Sequence, residues 1–300
     1  AAVHTAKTAF LDSFGVALAG SRDEAGTLAA RAAREEGARE EASTIGHGFR
    51  TSAQQAAFAN GVATHALDYD HSFNTGGQPT APIIPAALAM AEALGANGGS
   101  LVEAYVIGFE VTTKISQSLY GVPQYAWHAP STMGLIGATA ACAKLMKLDH
   151  DQTVMALGMA GSMASGLIHN FGTMTKPLHA GMTCRDGVTA AQLAQRGFTA
   201  GNQVIEHPFG FATTVLGEGI YDLDDMADNL GKPYRVQDAL MIKKYPCCGG
   251  NHAMLDSLFS LMQDNDFTYD DVVAAEVDQS YYSCLLYTSD AADEGLGVDL

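Results

Sequence analysis

Thr132-Met133-Gly134-Leu135-Ile136-Gly137-Ala138-Thr139-Ala140-Ala141-Cys142-Ala143-Lys144-Leu145-Met146 is the stretch that decides the fold. It reads as a helix, and Gly134, Gly137, Ala138 and Ala141 recur on it at helical spacing. A face that carries so little bulk lets a second helix backbone come close. Further on, Gly158, Gly161, Ala164 and Ser165 repeat the pattern. Small residues in this arrangement are a packing feature.

Helical periodicity and helix punctuation continue on both sides, from Val3 to about Met262, with few alternating stretches that would argue for strands. Ser52 and Gln55, Ser100 and Glu103, and Asp149 and Gln152 each place a capping oxygen three residues before a Glu or Gln. That spacing satisfies orphan N–H groups at a helix start. It predicts helices over roughly Ala53 to Leu67, Leu101 to Leu119 and His150 to Ser165, the second stopping at Gly121. The fold expected is mainly α, a large all-helical domain over residues 1–266.

Near Tyr269 the texture changes. Asp270 to Val277 reads as a short strand, the start of a smaller α+β domain over residues 267–282. Ser283 to Leu300 extends neither a strand nor a capped helix and resembles translated adapter sequence, so residues 283–300 are read as a non-native tail.

Composition narrows the partners. The chain has 300 residues and a formal net charge of -17, with 16 Lys and Arg against 33 Asp and Glu. Nucleic acid and anionic membrane surfaces both need a cationic face, so neither is an expected partner. An anionic ligand must meet a local cluster of cations. Pro82, Pro85 and Glu92 break the longest apolar run, which falls short of the ~20 residues of a membrane span. The N-terminus shows no signal peptide. Cys142, Cys184, Cys247, Cys248 and Cys284 form no framework or CxxC spacing, which points to reduced thiols, a cytoplasmic location, and neither structural zinc nor an iron-sulfur cluster.

Four polar islands interrupt this apolar, Gly-rich chain. His65 to Ser72, followed by Gly76 to Thr80, can turn Asp68, Asp70 and Ser72 into a cleft, or can be a solvated helix end. Tyr125 to Thr132 places His128 just before the small-residue helix, as a proton-transfer group or as a packed histidine beside a capping Ser131 or Thr132. Asn170 to Gly181 sets Lys176 and His179 at a loop-to-helix junction, where helix N–H groups help an ammonium hold a carboxylate. Lys243 and Lys244 are adjacent in an acidic chain, an arrangement that invites an anion. The Cys247-Cys248 pair beside them more often packs than closes a relaxed disulfide.

Together, and in this order, the islands resemble the MmgE/PrpD family, which includes 2-methylcitrate dehydratase and cis-aconitate decarboxylase. The resemblance runs from Thr8 to about Val277 and also rests on Leu11 to Gly20, Asn60-Gly61 and Gly108-Phe109-Glu110-Val111. It implies a helical domain that dimerises, a smaller α+β lid mostly missing here, an active site between the two, and catalysis with no metal or other cofactor. It implies Asp68, His128, Lys176 and Lys243 as catalytic residues, with Ser72, Gln78, His179 and Lys244 binding substrate. Gln78 stands where many members have a histidine, and His71 where an aspartate is common. A glutamine can hydrogen-bond substrate but cannot carry a proton.

The activity implied is that of a lyase on a small polycarboxylate, through a carbanion-like centre that two lysines stabilise. His128 would transfer the proton and Asp68 would orient it or bind a hydroxyl. Dehydration of a 2-methylcitrate-like acid ranks first because such members are the commoner, and decarboxylation of cis-aconitate second. A non-catalytic helical dimerisation or binding fragment is the reading from another class.

Overall fold

The computed structural model describes residues 1–73, 77–118, 127–219 and 221–277. Helices build it: α1 (Ala2–Gly20), α2 (Glu24–Glu35), α3 (Ala53–His65), α4 (Thr80–Leu94), α5 (Gly98–Ser118), α6 (Ala129–Met146), α7 (His150–Met163), α8 (Thr175–Gln195), two short helices α9 (Phe211–Leu216) and α10 (Leu223–Ala227), and α11 (His252–Asn265). Two antiparallel ladders accompany them, β1 (Ala42–Thr44) with β2 (Phe49–Thr51), and β3 (Ser72–Phe73) with β4 (Leu240–Met241). The architecture is mainly α, as the periodicity indicates. Among the described residues no helix is long and apolar enough to cross a membrane.

α6 is the central element, and every residue from Pro130 to Ala143 is buried. Its small face works as the spacing predicts. A Cβ added at Gly137 would lie 1.9 Å from Thr112 Oγ1 and 2.5 Å from the Gly108 carbonyl of α5. One added at Gly134 would meet the Pro82 ring of α4 at 2.7 Å, and one at Gly187 of α8 would meet Ala138 at 3.0 Å. α3 and α8 close against each other in the same way, with Gly61 over Cys184 and the Gly181 backbone. Most of the core is alanine. Each alanine buries little apolar area, so cohesion rests on many short interhelical contacts. Tyr105, Phe109, Ile83, Ile84 and Met90 fill the main cluster, and Met133, Leu135, Ile136, Ile115 and Phe211 a second.

Two of the three expected caps form. The Ser52 side chain accepts from the Gln55 N–H, and Asp149 and Gln152 make a reciprocal capping box. The third does not. α5 begins at Gly98, the Ser100 N–H donates to Asn97 Oδ1, and Glu103 turns outward to pair with Lys144 at 2.9 Å. α6 likewise starts before Ser131 and Thr132, whose hydroxyls reach back to the His128 carbonyl from inside the helix.

The strand expected over Asp270 to Val277 is absent. Tyr269–Asp271 form a 3-10 turn, residues 272–277 take no regular structure, and Val273 is fully solvent-facing. A strand needs a partner edge for its N–H and C=O groups, and among the described residues none is offered there. The stop at Gly121 and the tail at 283–300 lie outside the described residues.

Candidate active site

The end of α3 lays down the first part of the site. α3 stops at His65, and three residues later Asp68 takes a positive φ of 47°, a left-handed conformation that Asp tolerates better than most. The turn directs its carboxylate inward, toward residues distant in sequence. Lys176 Nζ, from the first turn of α8, donates to Asp68 Oδ2 at 2.7 Å. Lys243 Nζ donates to Asp68 Oδ1 at 2.7 Å and to its carbonyl at 2.5 Å. Gln78 Nε2 donates to the same Oδ1.

The β3–β4 ladder makes this convergence possible. It pairs Ser72 with Met241 and Phe73 with Leu240, so Lys243 emerges beside the Asp68 turn although 175 positions separate them. Ser72 serves here through its backbone pairing, two residues past Asp70.

The imidazoles form the second part. His128 is the N-cap of α6, and its N–H donates to the Gly166 carbonyl at 2.9 Å. Its ring stacks on His65 with centroids 5.2 Å apart, meets the edge of Phe171 at 5.0 Å, and shares an Nδ1···Nδ1 hydrogen bond of 3.2 Å with His179. His179 lies one turn along α8 from Lys176, on the same face. His65 in turn bonds through Nδ1 to Asp70 Oδ1 at 2.9 Å, with both side chains buried. Lys176 also lies over the Phe171 ring, 5.0 Å from its centroid. The N-terminal ends of α4, α6 and α8 therefore meet at one place, an arrangement suited to negative charge.

Electrostatics follow from this packing. Burial alone would raise the Asp68 carboxyl, but Lys176, Lys243 and His65 outweigh it and hold Asp68 well below the usual carboxylate range. Burial also works against the Lys176 ammonium, and Asp68 overcomes it, so Lys176 stays charged above the ordinary lysine range. For His128 burial dominates, and the positive charge of His65, Lys176 and His179 adds to it, so its pKa falls well below 6.5. Burial and then His65 lower His179 as well. At neutral pH His128 is a neutral base.

Three buried polar atoms at this spot have no protein partner, namely His128 Nε2, His65 Nε2 and Asp70 Oδ2. Unsatisfied buried groups are costly, and three in one cluster mark a place built to receive a polar ligand. His65, Asp68 and Asp70 also offer donor atoms within 4.8 Å of one another. Both Asp68 oxygens already receive an ammonium group, however, so a metal ion there would sit against two like charges.

Of the eight expected site residues, the structure gathers Asp68, Lys176, Lys243, Gln78, His128 and His179. Lys244 is not among them. Its ammonium is solvent-facing and pairs with Asp256 at 2.6 Å. Asp68 is not placed to orient His128 either, since its carboxylate is taken by the two lysines while His179 and His65 flank the imidazole. Asp70 was expected in the cleft, but its pairing with His65 is what pattern reading passed over. A helix-ending histidine followed five residues later by an aspartate is the signal that could have found it.

Comparison with known proteins bears on the family of the chain. The MmgE/PrpD N-terminal domain model matches residues 1–223. Cis-aconitate decarboxylase of Mus musculus is 30% identical over 216 residues, which cover 70% of this chain and 44% of that protein. The Homo sapiens enzyme of the same name is 34% identical over 52% of this chain and 34% of its own length. Cis-aconitate decarboxylase-like protein oryM of Aspergillus oryzae is 27% identical over 86% of this chain and 57% of its own. The chain thus spans about half the length of the curated relatives it matches. With the mainly helical fold and the match over residues 1–223 in agreement, this chain belongs to the MmgE/PrpD family.

Proposed function

We propose that this chain supplies the helical wall of a lyase site for a small polycarboxylate, and that decarboxylation of a cis-aconitate-like substrate is its reaction. The convergence of Lys176 and Lys243 on one buried carboxylate beside a neutral His128 carries this reading. Two ammonium groups in a strongly acidic chain form a local anion site. A substrate carboxylate can approach these ammonium groups alongside Asp68, because each lysine carries three N–H donors and gives only part of them to Asp68.

In decarboxylation the C–C bond to the departing carboxylate breaks, CO₂ leaves, and the electron pair remains on carbon beside a second carboxylate. Lys176 and Lys243 would hold that second carboxylate, where charge accumulates in the transition state. A proton then closes the valence at carbon. His128 is the group within this site to handle it, because an approaching anion raises the proton affinity of an otherwise neutral imidazole.

Sequence reasoning ranks dehydration first. The relatives reverse that order, since those reported above carry decarboxylase names. Dehydration of a 2-methylcitrate-like acid is kept as the second reading for one reason. A neutral His128 is ready to abstract a proton next to a carboxylate, as dehydration requires.

The test incubates the chain separately with cis-aconitate and with 2-methylcitrate, following released CO₂ and unsaturated product by NMR. CO₂ from cis-aconitate, lost in Lys176→Gln and His128→Gln, is the expected result. Unsaturated product without CO₂ would move the assignment to dehydration. Binding of either acid with no turnover would support the non-catalytic reading for this chain.

A further inference from the structure

The Phe171 side chain brings neither a charge nor a hydrogen-bonding group, yet its ring meets both halves of the site. The ring face lies against the Lys176 ammonium, 5.0 Å from Nζ to the centroid, and the ring edge meets the His128 imidazole at 5.0 Å with the planes 82° apart. The loop that carries it is closely tied. The Gly166 carbonyl accepts the His128 N–H, the Phe171 N–H donates to the Ile168 carbonyl, and the Lys176 N–H donates to the Thr173 carbonyl. Gly166 takes a positive φ of 103°, and a Cβ there would lie 2.1 Å from Ser131 Oγ, so the loop sits hard against α6. We propose that Phe171 is a positioning residue of the site: its ring face holds the Lys176 ammonium without taking an N–H donor, and so keeps the remaining donors ordered for a substrate carboxylate. The proposal rests on the reading of the lysine centre as an anion site.

The donors decide what such a contact is good for. A lysine ammonium carries three N–H groups. Lys176 gives one to Asp68 Oδ2, its hydrogen-bond partner among the described residues, and keeps two. Lys243 gives one to Asp68 Oδ1 and one to the Asp68 carbonyl, and keeps one. Lys176 is therefore the better furnished of the two for a carboxylate. A further carboxylate or carbonyl beside Lys176 would steady the ammonium only by consuming a donor. An aromatic face steadies it through the ring quadrupole and consumes none. With its side chain 14% exposed, Lys176 is removed enough from water for that attraction to count.

The edge contact extends the same argument to the imidazole. His128 Nδ1 is taken up by His179, whereas Nε2 is buried with no protein partner. One ring thus sets an ammonium with donors to spare beside an imidazole nitrogen that still has a hydrogen bond to make. A polycarboxylate seated on Lys176 can satisfy both.

Isothermal titration calorimetry of the 300-residue chain with tricarballylate tests the idea. This saturated tricarboxylate has neither a hydroxyl to lose nor a double bond, so binding is read without turnover. Phe171→Leu keeps an apolar side chain and loses the π face, and its affinity is expected to fall about fivefold, the worth of one partly desolvated cation–π contact. Phe171→Tyr keeps the face and should bind as the parent does. Mono-, di- and trifluorinated phenylalanine incorporated at position 171 keep the shape of the ring while draining its face, so affinity should fall with each added fluorine as the melting temperature holds. A merely structural ring would not show that gradation. Equal affinity in the parent, Phe171→Leu and the fluorinated chains overturns the proposal and leaves the anion site standing, whereas a parent that binds no tricarballylate overturns both. If the fluorine series behaves as expected but neither cis-aconitate nor 2-methylcitrate is turned over, the lyase reading fails and this one stands.

Discussion

Replacing Gly137 by alanine tests the packing on which the whole site is mounted. Gly137 sits mid-helix in α6, where Gly→Ala normally gains about 1 kcal/mol of helix propensity. Here the added methyl would lie 1.9 Å from Thr112 Oγ1 and 2.5 Å from the Gly108 carbonyl. The threonine can rotate, but the carbonyl is backbone, so α5 and α6 must move apart along a face buried on every side. Overpacking of this kind costs about 3 kcal/mol, the upper end of the usual range, which leaves a net loss of about 2 kcal/mol. With a urea slope of about 2 kcal/mol/M, the unfolding midpoint read by circular dichroism should fall by about 1 M. Gly15→Ala is the matched control, since a Cβ there meets nothing within 4 Å on the exposed side of α1. It should raise stability by about 0.5–1 kcal/mol. Adding Thr112→Ala to Gly137→Ala should restore part of the loss, because the contact with the Gly108 carbonyl remains. Equal midpoints for Gly137→Ala and Gly15→Ala would refute the close-packed reading of α6.

Three further outcomes are expected. His128 binds a proton less readily folded than unfolded, so below pH ~6.5 the unfolded chain takes up protons that the native one refuses; stability should therefore fall as pH drops below ~6.5, and His128→Gln should flatten that slope in urea titrations at stepped pH. Lys243→Met should lower the melting temperature by several degrees by leaving Asp68 with one cation fewer in a buried setting, whereas Lys244→Met should leave melting and ligand binding unchanged, and equal effects would contradict the placement of these neighbours on opposite sides. Asp149→Ala should cost about 1 kcal/mol in chemical denaturation by removing the capping box of α7, and Ser100→Ala should cost far less, since Asn97 serves that helix start.

The contrast between Asp149 and Ser100 shows how far local rules reach. A capping box is closed within four residues, so its chemistry is complete in the sequence, and Asp149-Gln152 forms as read. Ser100-Glu103 obeys the same rule, but Asn97 competes for the N–H and Lys144 for the carboxylate. The second competitor is invisible without the α5–α6 contact. The strand expected at Asp270 fails for a related reason, since a strand is defined by a neighbour that local pattern does not supply.

The site divides in the same way. Lys176, Asp68, His128 and Lys243 stand out in the chain because cations and imidazoles are scarce in apolar, Gly-rich surroundings. Their partnership does not, because it depends on a left-handed turn at Asp68 and on a two-residue ladder between β3 and β4. Lys243 and Lys244 are equivalent as letters; in the fold one is buried against Asp68 and the other faces solvent beside Asp256.

From its sequence, then, this chain was bound to be helical, closely packed through small faces, acidic, and equipped with a few ionisable side chains in unusual places, because periodicity, glycine spacing and charge are properties of composition and order. Which carboxylate answers which cation was left to tertiary structure. Asp68 became the counter-ion of two lysines, and Asp70 was left to His65, through contacts spanning up to 175 positions. Proton affinity depends on burial and on charges within a few ångströms, and neither exists until the helices have closed.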